Sequence, residues 1–158
     1  MTQPSETVYH RTLSLGSDPA LRRRYMVVDE PIQGNMRFGL LLEILDKVAE
    51  EAALTYVNRF HPDARVVTAA IDNIVVRHAG DVRRDLTFAA TINHVGRSSL
   101  EVGIRVEQPG EPHLHIASCY FTMVARSGYG ENVVSVALPP LDYALPIEKR
   151  REIGRAHV

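Results

Sequence analysis

The chain has 158 residues, of which 45% are apolar, so it can bury one full hydrophobic core. Its formal net charge of −1 gives no sign of a polyanionic partner, and there is neither a basic helix nor spare length for a nucleic-acid-binding segment. No segment approaches the ~20 apolar residues that a membrane-spanning helix needs, so we expect no membrane insertion.

Two further features of the sequence bear on the cellular compartment. The N-terminus lacks the basic start and apolar core of a signal peptide. The single cysteine, Cys119, lies in a strand pattern and cannot form an internal disulfide, so we expect a buried thiol rather than a nucleophile. We therefore predict a cytoplasmic protein.

The first part of the chain predicts two short strands. The first covers residues 7–15 and ends at the turn residues 16–19, whose Gly, Ser, Asp and Pro are a dense turn signal. The second covers residues 24–29 and ends before Pro31. The basic run at residues 22–24 is brief, and we interpret it as a solvated strand or loop edge.

Residues 38–57 predict one long amphipathic helix, preceded by a loop between Gly34 and Gly39. Asp46 lies where the polar face of this helix meets the apolar face. The apolar positions that recur with helical spacing are Phe38, Leu41, Leu42, Leu45, Val48, Ala49, Ala52 and Ala53.

Four long strands are predicted after the helix, over residues 65–77, 86–95, 99–108 and 113–126. The connectors, centred on residues 79–81, 96–98 and 109–112, are short, and short connectors indicate antiparallel neighbours. The order predicts an α+β fold in which an antiparallel sheet wraps around one long helix. We interpret residues 1–152 as a single domain, with a short helix at residues 146–152.

The final residues, 153–158, match the translation of a widely used sequencing-library adapter that is followed by a stop codon. We expect this segment to be a non-native read-through tail and exclude it from the fold. The codons of the underlying DNA test this expectation, because any other codons for these residues would contradict it.

The motifs of phosphate-binding loops, zinc clusters and serine elbows are absent from the sequence. His113 and His115 share a strand face but have no evident third ligand, so we expect surface histidines and no metal site. The helix N-terminus, flanked by Gly34 and Gly39, can stabilise an oxyanion. Asp46, about two turns further along, is either a general base acting on water or a surface aspartate, and the residues alone leave both interpretations open.

Three segments carry a resemblance to a known family. They are Gly34-Asn35-x-x-Phe38-Gly39 followed by Leu45-Asp46-Lys47-Val48-Ala49, then Val66-Val67-Thr68-Ala69-Ala70-Ile71-Asp72, then Gly96-Arg97-Ser98-Ser99-Leu100-Glu101-Val102. In this order the segments resemble the acyl-CoA thioesterase (acyl-CoA hydrolase) family of the hotdog-fold superfamily. The resemblance covers about residues 25–126.

The resemblance implies a hotdog fold and hydrolysis of acyl-CoA to a free carboxylic acid and CoA, without a cofactor. It implies that Asp46 activates water or attacks the thioester directly, that Asn35 of the opposite subunit positions the water or the carbonyl, and that the Gly39 N–H polarises the carbonyl oxygen. It also implies a homodimer with shared active sites, which can assemble further into tetramers or hexamers. The residues that it places at the bound CoA are Arg97, Ser98 and Ser99, with Thr68 lining the site.

The chain departs from the family pattern at two places. Leu40 replaces the second glycine at the helix start, which puts the substrate range in doubt. Residues 76–79 replace a Phe-x-x-Pro segment, and the Gly80-Asp81 turn that follows is lengthened by residues 82–85. Two alternatives to the hydrolase stay open: a non-catalytic acyl-CoA-binding hotdog domain and a hotdog enoyl-CoA hydratase or dehydratase.

Overall fold

The computed structural model describes residues 2–25 and 36–143, in which an antiparallel sheet curls around one long helix. This arrangement confirms the predicted α+β class. The helices are α1 (Pro19–Tyr25) and α2 (Phe38–Val57), with 3-10 turns at Pro4–Thr7 and Gly130–Asn132. The strands are β1 (Tyr9–Leu13), β2 (Arg65–Val76), β3 (Leu86–Val95), β4 (Ser99–Gln108), β5 (Leu114–Ser127) and β6 (Val134–Ser135).

Helix α2 begins and ends where the sequence predicts, and its apolar face forms the centre of the core. Leu45, Val48 and Ala49 have no solvent exposure, because the concave face of the sheet covers them. The first turn differs from the prediction. The prediction placed Phe38 on the buried face, but its side chain is 49% exposed, whereas Leu41, three residues further along, is buried.

The prediction of a strand at residues 24–29 is wrong at its start, because Arg24 and Tyr25 belong to α1. The carboxylate of Asp18 accepts a hydrogen bond from the N–H of Leu21 at 3.1 Å, which caps this helix, and Pro19 occupies its first position. The basic run therefore lies on a short helix rather than on a strand or loop edge. Residues 26–29 lie outside the described residues.

The strand order β1-β3-β4-β5-β2 corrects the predicted neighbour of β2. Strands β3, β4 and β5 form the expected hairpin-linked series, but β2 pairs with β5 rather than with β3. The connector between β2 and β3 spans residues 77–85 and crosses the ends of β4 and β5, a distance of roughly 15 Å at the usual strand spacing. A connector of this length can pass two strands, so its length does not require β2 and β3 to be neighbours.

Gln108, which is fully buried, holds this connector against the end of the sheet. Its side-chain oxygen accepts a hydrogen bond from the N–H of Asp81 at 2.7 Å, and its amide nitrogen donates to the Asp81 carbonyl at 2.6 Å. Arg84 donates to the carbonyls of Pro109 and Pro112 in the β4–β5 turn. The lengthened turn after Gly80 is therefore an ordered crossover.

Strand β2 lies at one edge of the sheet and exposes apolar side chains on both of its faces. Val67 and Val75 lie on the outer face, and Ile71 and Val76 on the inner face, each between 44% and 52% exposed. The ladder to β5 is interrupted after Thr68 and again after Asp72. Among the described residues, β5 is the only strand that pairs with β2, so the other edge of β2 presents free backbone groups.

The chain after β5 turns back along the sheet, with a short strand, β6, that the sequence did not predict. Leu138 and Leu141 are buried beyond it, and the N–H of Leu138 donates to the carbonyl of Arg97 at 2.9 Å. The predicted helix at residues 146–152 and the predicted tail at residues 153–158 lie outside the described residues. The single domain over residues 1–152 therefore stays a prediction.

In residues 2–25 and 36–143, neither helix is long and apolar enough to cross a membrane. The cellular compartment stays a prediction.

Candidate active site

The predicted base, Asp46, meets the sheet through one side chain of β2. The hydroxyl of Thr68 donates a hydrogen bond to Oδ1 of Asp46 at 2.7 Å. Asp46 lies on the exposed side of α2, and the ladder irregularity after Thr68 occurs where β2 passes this part of the helix. The bond fixes one carboxylate oxygen and leaves Oδ2 without a hydrogen-bond partner among the described residues.

The Thr68 side chain also contacts a core residue on the neighbouring strand. Its Oγ1 lies 3.5 Å from the sulfur of Met123, the residue directly opposite on β5, and Met123 is buried. The sequence placed Thr68 among the substrate-binding residues. The structure brings it to the carboxylate of Asp46, where a neutral donor holds the carboxylate in one orientation without supplying charge.

Gly39 occupies the second position of α2, where a backbone N–H has no intrahelical acceptor. A Cβ atom added to Gly39 would have no neighbour within 4 Å, so the space beside this N–H is open. Gly39 and Asp46 are seven residues apart, which corresponds to about 10 Å along the helix axis. The two groups therefore lie at separate points of the same helix.

Arg97, Ser98 and Ser99 lie together at the turn between β3 and β4. The Gly96 N–H donates to the Ser99 carbonyl at 2.7 Å, and the Ala125 N–H donates to the Ser98 carbonyl at 2.9 Å. These two bonds, and the bond from the Leu138 N–H to the Arg97 carbonyl, fix the backbone of the turn. The Arg97 side chain is exposed. No described contact joins this turn to Asp46, so within one chain the predicted site residues form two groups.

The remaining candidate residues are a cysteine, two histidines and an asparagine. Cys119 is buried, and burial raises the pKa of its thiol to about 12, so it is the inert thiol that was predicted. Nε2 of His113 lies 3.1 Å from a carboxylate oxygen of Glu107, and Nε2 of His115 lies 2.8 Å from the Ser118 hydroxyl oxygen. Among the described residues, no group of three His, Cys, Asp or Glu side chains has the arrangement of a metal site. Asn35 lies outside the described residues.

Comparison with known proteins assigns this curled antiparallel sheet and its central helix to a family. The family model described as the thioesterase superfamily matches residues 33–113. The chain belongs to the thioesterase superfamily. The family and the hotdog fold that the sequence predicted are thereby confirmed.

Relatives of this thioesterase include bacterial and mitochondrial proteins. Protein VdlD of Helicobacter pylori is 34% identical over 148 residues, covering 90% of this chain and 80% of that protein. The mitochondrial acyl-coenzyme A thioesterase 9 of Homo sapiens is 31% identical over 144 residues, covering 87% of this chain. The match covers only 31% of the human protein, which is thus much longer than this thioesterase.

Solved structures share the fold of this thioesterase over nearly its whole length. A hexameric acyl-CoA thioesterase has a TM-score of 0.74 at 22% identity, covering 98% of this chain and 90% of that one. An acyl-CoA hydrolase from Staphylococcus aureus, solved with butyryl coenzyme A and coenzyme A, has a TM-score of 0.69 at 20% identity, covering 99% and 93%. At these identities the likeness shows the fold.

Proposed function

We propose that this thioesterase hydrolyses acyl-CoA to a carboxylic acid and CoA, with Asp46 as the base that activates water. The observation that carries the proposal is the Thr68–Asp46 hydrogen bond of 2.7 Å, because it orients a solvent-accessible carboxylate. The relatives named acyl-coenzyme A thioesterase support the reaction and substrate class. The Staphylococcus aureus hydrolase has been solved with an aspartate, an asparagine and a threonine each replaced by alanine, the same residue types as Asp46, Asn35 and Thr68.

The chemistry follows from the free oxygen of the carboxylate. Oδ2 of Asp46 accepts a proton from water while the water oxygen attacks the thioester carbonyl carbon. The negative charge on the carbonyl oxygen is stabilised by the N–H of Gly39 at the positive end of α2. The C–S bond then breaks, and the CoA thiolate takes up the proton that Asp46 received. Direct attack by the carboxylate, which forms an anhydride that water hydrolyses, uses the same groups.

The separation of Gly39 and Asp46 favours a site made by two chains. A carbonyl oxygen bound to the Gly39 N–H lies about 3 Å from that nitrogen, whereas Asp46 of the same chain begins about 10 Å along the helix. A second copy can bring its own Asp46 to the carbonyl without this gap. We therefore infer that each site takes Gly39 from one subunit and Asp46 from the other, with Asn35 on the Gly39 side.

The edge strand β2 supports a homodimer in which these sites form. Its free backbone edge and its exposed apolar side chains on both faces would be covered if the β2 strands of two copies paired. Thr68 lies on β2, so that pairing would place the Thr68–Asp46 groups of both chains near the shared edge. The solved neighbours that are described as hexameric support further assembly of such dimers.

A thiol-release assay tests the proposal. The purified protein is incubated with a series of acyl-CoA substrates of increasing chain length, and free CoA is followed with a thiol reagent. Cys119 is buried, so we expect the folded protein to add no background signal. We expect Asp46→Asn to lower kcat by at least about a hundredfold, since a general base contributes that much or more.

The matched control is Glu50→Gln, which removes another exposed carboxylate from the same helix and should leave kcat unchanged. Full thiol release by Asp46→Asn would reject Asp46 as the base. Tight acyl-CoA binding without thiol release by the unmodified protein would instead support a non-catalytic binding domain. Hydration of an enoyl-CoA without thiol release would support a hydratase.

A further inference from the structure

The loop after β5 presents an aromatic ring that the mechanism above does not use. Tyr129 is 80% exposed, the largest value among the exposed large hydrophobic side chains of the described residues. The Arg65 guanidinium lies over this ring, 4.8 Å from its centroid, and Nη2 of Arg65 donates to the carbonyl of Gly128. A fixed cation therefore covers one face of the ring, and the rest of the ring is open.

The backbone of this loop fixes the position of Tyr129. Gly128 has a φ of +90°, and a Cβ atom there would lie 2.2 Å from the carbonyl oxygen of Asn132, so only glycine fits. The Asn132 N–H donates to the Tyr129 carbonyl at 3.1 Å and closes the turn. The exposure of the ring is thus a property of the folded loop.

Positive charge collects at the same end of the sheet. Arg126 is the direct partner of Arg65 in the β2–β5 ladder, so the two side chains lie on the same face of the sheet. Arg97 lies at the neighbouring β3–β4 turn, which is bonded to the end of β5 through Ala125. No carboxylate of residues 2–25 or 36–143 lies within 4 Å of these three guanidinium groups, so none of the three is held in an ion pair there.

We propose that Tyr129, Arg65 and Arg126 form the subsite for the adenosine 3′,5′-bisphosphate portion of coenzyme A. The inference rests on the proposed acyl-CoA hydrolysis and extends it to residues outside the motifs that resemble the family. The adenine stacks on the open face of the Tyr129 ring, opposite Arg65. Arg126, together with Arg97, binds the phosphate groups, because neither guanidinium is paired with a described carboxylate.

Direct binding tests the subsite without any chemistry. Calorimetric titration of the protein with coenzyme A and with adenosine 3′,5′-bisphosphate gives the two dissociation constants. We expect Tyr129→Ala to weaken both by about tenfold, because loss of one base-stacking side chain costs about that much. Tyr129→Phe keeps the ring and should bind both ligands like the unmodified protein. Arg126→Gln should weaken both and make binding less sensitive to salt.

Kinetics separate the nucleotide subsite from a merely structural role of the loop. With a short-chain acyl-CoA, Tyr129→Ala should raise KM about tenfold and leave kcat unchanged. With the corresponding acyl-pantetheine, which lacks the nucleotide, the same variant should show unchanged KM and kcat. A merely structural defect would move both substrates together.

Either of two results would overturn the subsite. One is unchanged binding of coenzyme A by Tyr129→Ala, and the other is an equal loss with acyl-CoA and acyl-pantetheine. A failure of the proposed hydrolysis is seen separately, as absence of thiol release by the unmodified protein while adenosine 3′,5′-bisphosphate still binds in a Tyr129-dependent manner.

Discussion

Thr68 is the only described side chain that hydrogen bonds the carboxylate of Asp46, and this bond is what distinguishes Asp46 from a surface aspartate. An aspartate on the solvent face of a helix samples several rotamers, whereas Thr68 holds Oδ1 of Asp46 at 2.7 Å. Because β2 supplies the donor and α2 the acceptor, the orientation of Asp46 depends on the packing of the helix on the sheet. The geometry of this single carboxylate therefore depends on the complete fold.

Thr68→Val tests this bond. Valine matches the shape of threonine but cannot donate, so Asp46 loses its fixed orientation. We expect kcat to fall by about 10- to 100-fold, the equivalent of a hydrogen bond to a charged group, with little change in KM or thermal stability. Thr68→Ser retains the hydroxyl and should keep most of the activity. An undiminished kcat in Thr68→Val, measured by thiol release, would show that the bond has no role in catalysis.

At the residue scale, the sequence identified Asp46 and Thr68 as candidates but not their pairing. They are separated by 22 residues, and which side chain of β2 faces the helix depends on the ladder irregularity after Thr68. Tyr129 and Arg65 were missed altogether, because 64 residues separate them and no motif links them. Their only local signal is the pair of glycines that flank Tyr129, both with positive φ.

At the scale of elements, α2 was predictable because its apolar positions recur over five turns and the sheet that covers it matches that face. Helix α1 was missed because Asp18-Pro19 was interpreted only as a turn, although the same residues are a helix start signal. The β2–β5 pairing was missed because connector length constrains neighbours only weakly once a connector can span two strands. The hydrogen bonds between Gln108 and Asp81, which hold the β2–β3 connector across the end of the sheet, join residues 27 positions apart and leave no local sequence signal.

The first turn of α2 carries the prediction that belongs to an element. Gly39→Pro removes the N–H that we place at the carbonyl oxygen, at a helix position where proline costs little. We expect kcat to fall by about 100- to 1,000-fold, the usual loss when one oxyanion donor is removed. Thermal melting and circular dichroism establish that the helix still forms.

Gly39→Ala is the matched control for this variant. Alanine retains the N–H, and its Cβ would meet no atom within 4 Å in the described structure, so activity should stay near that of the unmodified protein. Loss of activity in both variants would indicate a steric requirement for glycine. Full activity in a folded Gly39→Pro variant would remove this N–H from the mechanism.

At the scale of the whole molecule, two observations support the proposed homodimer: the exposed edge of β2 and the separation of Gly39 from Asp46. An edge strand with apolar side chains on both faces is stabilised by pairing, and in the proposed dimer a symmetric pair would make two equivalent sites. The sequence alone implied a dimer through the family resemblance. The structure adds a physical argument, since the two residues that we propose act on one carbonyl lie about 10 Å apart along the helix axis of one chain.

Complementation between two inactive variants tests the shared site most directly. Gly39→Pro and Asp46→Asn chains, each with a different affinity tag, are co-expressed, and the heterodimer is purified through both tags. If each site takes Gly39 from one subunit and Asp46 from the other, one of the two sites is intact. We predict that the heterodimer regains about half of the unmodified acyl-CoA hydrolysis, while each parent stays inactive. A heterodimer as inactive as both parents would contradict the two-chain site.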